Sequence, residues 1–130
     1  MFTSCGRKRK NIFSFQPPKQ KVSLFDFPVV KGVSVQRLPQ GNCVSWRMLS
    51  VQDQAVIVNG LRYSLIGYNV YRLTQAGFIP KKPLNKFLIE KKSYLDEAAV
   101  NSMCYAYLVK AVFAVQNEKI EGLASYIVFV

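Results

Sequence analysis

Histidine is missing from this sequence, and that absence limits its chemistry more than any motif present. It removes Cys/His zinc sites, the usual Ser-His and Cys-His nucleophile pairs, and the commonest general acid–base. The cysteines, Cys5, Cys43 and Cys104, are odd in number, far apart and without a CxxC spacing. They predict no disulfide framework, act as no functional unit, and suit a reducing compartment. Seven carboxylates remain: Asp26, Asp53, Glu90, Asp96, Glu97, Glu118 and Glu121. Acid–base work by a carboxylate pair needs two of them facing each other across one cleft. Asp96-Glu97 read instead as the first turn of a helix, and Glu118 and Glu121 as part of a polar turn. No P-loop, GxGxxG, GxSxG or DxDxDG occurs. The expectation is a non-enzymatic protein with no catalytic residue, no metal and no cofactor.

The cationic side chains carry more information. Eighteen Lys and Arg against seven acids give a formal charge of +11, which implies an acidic partner. Arg7, Lys8, Arg9, Lys10, Lys19 and Lys21 fall within residues 1–21, where no acid occurs. Pro17-Pro18 divides them and suits neither helix nor central strand, so 1–21 reads as a flexible basic arm. Its Arg-Lys-Arg-Lys run fits a nuclear-localisation signal, bipartite with Lys19 and Lys21, and equally a phosphate-binding patch. Lys81, Lys82, Lys86, Lys91 and Lys92 form a second cluster, with Glu90 its sole acid. Arg62 and Arg72 lie among Tyr63, Tyr68 and Tyr71, which would offer rings for bases to stack on if one face were open. Taken singly, each tyrosine has a plainer reading as core rim, and a charge run one as solvated surface.

These groups need elements to hold them. Gln54 to Leu73 places Asn59-Gly60 between two runs rich in β-branched and aromatic residues, the pattern of a hairpin with a two-residue turn. Val58 then opposes Leu61 and Val56 opposes Tyr63, with Leu61, Tyr63 and Leu65 on one face. A helix is the rival, because Ser50 to Asp53 resembles a capping box and Val51, Ala55, Val58, Leu65 and Tyr68 recur at helical spacing. The interior glycines and β-branched residues favour the hairpin.

Around it, Val22 to Pro28 reads as a short strand, Val29 to Leu38 as extended with a bend at Gly32, and Pro39 to Asn42 as a turn. Cys43 to Leu49 alternates and puts Trp46 in the core. Tyr68 to Leu73 reads as a separate strand after Gly67, and Pro83 to Lys92 as a short helix. Residues 105–115 and 124–130 read as a hairpin pair, against the alternative of one helix from Ser93 to about Val115.

The expected fold class is α+β and β-rich: a small single domain over 22–130 with an antiparallel sheet and one or two helices, preceded by the basic arm. No apolar leader and no span of 18 apolar residues occurs, so an intracellular protein, cytoplasmic or nuclear, is expected, neither secreted nor transmembrane. A basic arm on a β-rich domain without catalytic groups is also the plan of many small viral packaging, matrix and accessory proteins, an analogy of architecture rather than a motif match. The function expected is binding of nucleic acid, RNA or DNA, largely through phosphate. Two alternatives stay open: a matrix-type protein on an anionic membrane surface, and an interaction module forming homo-oligomers through exposed apolar strands such as 124–130.

Overall fold

Asn59 and Gly60 take φ of 53° and 78°, so both turn residues have the positive φ that the hairpin requires. The structure, a computed structural model, describes residues 22–130; the expected arm, with Arg7, Lys8, Arg9, Lys10, Lys19 and Lys21, lies outside the described residues. Eight strands form among them: β1 (Lys31–Leu38), β2 (Gly41–Arg47), β3 (Ala55–Val58), β4 (Leu61–Arg72), β5 (Ser93–Asp96), β6 (Ala106–Val115), β7 (Glu118–Glu121) and β8 (Val128–Phe129). All pairings are antiparallel. No α-helix forms among the described residues, only 3-10 turns at Leu24–Asp26 and Val51–Gln54. The antiparallel β-rich class therefore holds, and the one or two helices drop out.

The central hairpin has the expected register, Val58 opposite Leu61 and Val56 opposite Tyr63. Leu61 itself is exposed. Its long strand does not stop at Gly67 but runs on to Arg72, with a register shift between Leu65 and Gly67. Tyr63 and Leu65 pack on the core before the shift, Tyr68 and Val70 after it. The inward positions thus move from odd to even numbers, which a regular strand cannot do and a bulge can. That displaced alternation is what imitates a helix in the sequence.

β1, β2 and β5 make one sheet; β3, β4, β6 and β7 make the other, with β8 pairing the opposite end of β6. Val44 and Trp46 from the first sheet meet Tyr68, Val70, Val109 and Phe113 from the second in one core. Phe27 packs edge-on against Tyr63, with ring centroids 5.3 Å apart, and Trp46 lies 5.5 Å from Tyr68. Gly32 is the expected irregularity in β1, with φ 68° and a register shift between Lys31 and Ser34.

Unequal strand lengths explain what the expected helices became. β4 has 12 residues and β3 only 4, so one edge of β4 would be left with unpaired backbone groups. Residues 84–89 fill that edge. The Leu84 amide donates to the Val70 carbonyl at 2.8 Å, and Ile89 and Tyr68 exchange both backbone bonds at 2.9 and 3.0 Å. A helix over Pro83 to Lys92 would satisfy its own amides and leave those of β4 bare. Gly67 permits the approach, since a Cβ there would stand 2.9 Å from Leu88 Cβ. The chain then crosses to the first sheet, where the Trp46 amide donates to Lys92 O at 2.9 Å and β5 pairs with β2. Ser93 to Asp96, expected to start a helix, is therefore an edge strand.

Two further expectations change at the ends. Val22 to Pro28 holds a 3-10 turn whose Phe25 amide donates to Ser23 Oγ, not a strand. Residues 105–115 form β6 as expected, but its hairpin partner is β7, through a turn in which Gln116 has φ 53°. The 124–130 segment does lie antiparallel to β6, pairing through β8, with Val130 and Tyr105 exchanging both backbone bonds and the Ser125 amide donating to Val109 O at 3.0 Å.

Asp96 ties the two sheets together. Its Oδ2 accepts from Arg72 Nη1 at 2.7 Å and from the Tyr107 hydroxyl at 2.6 Å, while Asn42 Nδ2 donates to Tyr107 Oη at 3.0 Å. Asn42, Asp96 and Tyr107 are all buried, and a buried carboxylate is tolerated only when paired in this way. Burial, and then the bond to Asp96, push the Tyr107 hydroxyl well above the ordinary tyrosine range. Burial would lower the Arg72 value, but the bond to Asp96, together with the electrostatic pull of Asp96, Tyr107 and Tyr105, holds the guanidinium above its usual value.

Candidate nucleic-acid interface

Lys81, Lys82, Lys86, Lys91 and Lys92 all lie on the connection between β4 and β5, and all five are exposed. The segment is irregular but tethered. Asn85, buried beneath it, accepts from the Val70 amide through Oδ1 at 2.9 Å. Its Nδ2 donates to Asn69 Oδ1 at 2.8 Å and to Phe87 O at 2.9 Å. One asparagine thus fixes the loop to the strand and leaves its lysines at the surface. The ion pairs found among the described residues engage Arg72 and Lys110 and none of these five.

The two arginines separate. Arg62 is exposed near the turn end of β4, opposite Ile57, and Arg72 is committed to Asp96 at the other end. Ten residues of strand put them about 33 Å apart. The tyrosines between them are not open platforms: Tyr63, Tyr68 and Tyr71 are 2%, 1% and 3% exposed. Tyr63 and Tyr68 both turn inward because of the bulge. Tyr71 is on the other face, where its hydroxyl donates to Glu121. Burial, reinforced by that bond, pushes the Tyr71 hydroxyl far above the ordinary tyrosine range.

Phe25, Phe78, Tyr126 and Phe129 are also exposed, but the exposed ring set within the lysine cluster is Phe87, which the sequence does not single out as a binding residue. Phe87 is 84% exposed and follows Lys86 directly. Both line a cleft of about 480 Å³ whose other walls include Asn69, Lys119 and Glu121, with Leu88 and Val112 as apolar lining. Cross-strand register builds the polar side. Asn69 on β4 faces Lys110 on β6, and Val112 on β6 faces Glu121 on β7. Asn69 Nδ2 donates to Glu121 Oε2 at 2.8 Å, Lys110 Nζ lies 3.5 Å from Glu121 Oε1, and the same ammonium sits 5.0 Å from the Tyr71 ring centre.

In the sequence Glu121 reads as part of a turn, and Lys110 only as a charge that interrupts an apolar run. That lone charge is the available signal, since a lysine within a buried strand must sit on its solvent-facing side. Nothing local reveals Glu121 or Phe87, because their setting depends on which strands pair. Among the described residues no group of Cys, Asp and Glu is disposed to hold a metal ion. No helix among them is long and apolar enough to cross a membrane. Family models, curated proteins and solved structures were all compared with the chain, and none matches.

Proposed function

We propose that the protein is a non-enzymatic nucleic-acid-binding protein that holds single strands mainly by their phosphates. The observation that carries this is the exposed Phe87 ring, set on a tethered loop with five solvent-facing lysines. The ring is open to solvent within reach of a cluster of ammonium groups. Single-stranded nucleic acid engages both at once, because its bases stack on aromatic faces while its phosphates neutralise ammonium groups. A duplex offers phosphates but no unstacked base. Stacking contributes about 1–3 kcal/mol per base. The basic residues at 1–21 add to the phosphate attraction, and a packaging or accessory role would suit binding of this kind.

The test is retention on single-stranded RNA, single-stranded DNA, duplex DNA and anionic liposomes at two salt concentrations. Both single strands should be retained above duplex and liposomes, less so at higher salt, and Phe87→Ala should abolish the preference over duplex. Retention on liposomes without a preference for any nucleic acid would overturn the proposal in favour of a membrane surface.

A further inference from the structure

We infer that the cleft beside Phe87 is a subsite for one unpaired guanine base, with Glu121 as the group that reads it; this rests on the nucleic-acid reading above and adds a specificity that charge alone cannot supply. The two oxygens of Glu121 are not equivalent. Oε2 already accepts from Asn69 Nδ2 at 2.8 Å and from the Tyr71 hydroxyl. Oε1 has only the Lys110 ammonium at 3.5 Å, outside ordinary hydrogen-bond distance. An ionised carboxylate is acceptor-only, so the lone pairs of Oε1 call for a donor from whatever enters the cleft. The carboxylate is held in place by its two bonds and its side chain is 30% exposed, so it is both fixed and reachable.

Base edges differ in what they would present there. The Watson–Crick edge of guanine offers two adjacent donors, N1–H and the 2-amino group, followed by the O6 acceptor. Uracil has one donor between two carbonyls, and adenine and cytosine each set a ring-nitrogen lone pair beside their amino group. With Oε2 already holding Asn69 and Tyr71, one oxygen is open, and guanine alone brings two adjacent donors to that single acceptor, where cytosine and adenine bring one amino hydrogen and uracil one ring N–H. Its O6 would suit an ammonium, and Lys86 and Lys119 line the same cleft. The volume of about 480 Å³ admits a purine. Phe87 supplies the ring to stack on, and Leu88 and Val112 an apolar lining. A charge-assisted bond from donor to carboxylate is roughly twice as strong as a neutral one.

The experiment measures fluorescence anisotropy on short uridine oligonucleotides carrying a single central guanosine, inosine, adenosine or uridine. Guanosine should bind about tenfold tighter than uridine, within the ~1–3 kcal/mol of a good base contact. Inosine, which keeps N1–H and lacks the 2-amino group, should fall between them. Glu121→Gln keeps an acceptor for Asn69 and Tyr71 but presents an amide where the donors arrive, so the guanosine-to-uridine ratio should drop towards one. Because removing a negative charge raises affinity for every strand, the ratio is the readout. Phe87→Ala, at an exposed position, serves as the second variant and should weaken the guanosine strand most. Equal binding of all four strands by the native protein, with a ratio that Glu121→Gln leaves unchanged, would overturn the guanine subsite while leaving phosphate binding intact. Failure to bind any strand would overturn both.

Discussion

At the scale of single residues, positive φ and buried polar groups make the most specific demands. Gly60 has φ 78° and nothing within 4 Å of where a Cβ would lie, so a substitution there meets no clash and only the backbone conformation resists it. Gly60→Val should cost about 2 kcal/mol and Gly60→Asn much less, since Asn tolerates the left-handed region and a β-branched residue does not. Urea unfolding of both variants checks this, and equal costs would contradict the turn. Tyr71 and Tyr107 make a pH prediction. Their folded values lie above the ordinary tyrosine value near 10. Below about pH 10 both states keep the proton, and the stability contributed is complete. Above it the unfolded chain ionises first and binds fewer protons than the folded one, so stability falls as pH rises. Urea midpoints should decline above about pH 10, and Tyr71→Phe should make the decline shallower.

At the scale of elements, the decisive relation is between a long strand and its short neighbour. Residues 84–89 complete the edge of β4, and Asn85 is their anchor. Asn85→Ala removes the acceptor of the buried Val70 amide and the two bonds donated to Asn69 Oδ1 and Phe87 O. It should cost about 1–3 kcal/mol, the range for stranding a buried polar group. Hydrogen exchange at the Leu84 and Ile89 amides should speed up far more than at β6, and uniform acceleration would mean that Asn85 supports the whole fold instead. The same relation marks the limit of sequence reading. The Asn59-Gly60 turn, the bend at Gly32 and the burial of Trp46 were legible because each is dictated by local chemistry. The bulge after Leu65, the pairing of 84–89 and the role of Asp96 were not. Helical spacing and cap-like residues are local signals, and long-range pairing overrode them. The lysines of the candidate interface were legible as charge, whereas Phe87, Asn69 and Glu121 became a site only through strand register.

At the scale of the whole molecule, charge is the property most directly tied to the proposed function. Of the eighteen basic residues, six precede residue 22 and twelve lie beyond it, where all seven acids also lie. Arg72 and Lys110 are engaged by carboxylates, and of the other ten cations beyond residue 22 five lie together on the connection between β4 and β5. The most direct measurement is the salt dependence of affinity for a single-stranded oligonucleotide, for the native chain and for a Lys81→Glu, Lys82→Glu, Lys86→Glu variant. Each phosphate neutralised on a single strand contributes about 0.7 to the log–log slope. The native slope should be steep. The variant should bind more weakly, with a slope lower by as much as about 2, because up to three phosphates would no longer be neutralised. An unchanged affinity and slope in a variant that still folds would show these lysines to be solvated surface, and would contradict the account.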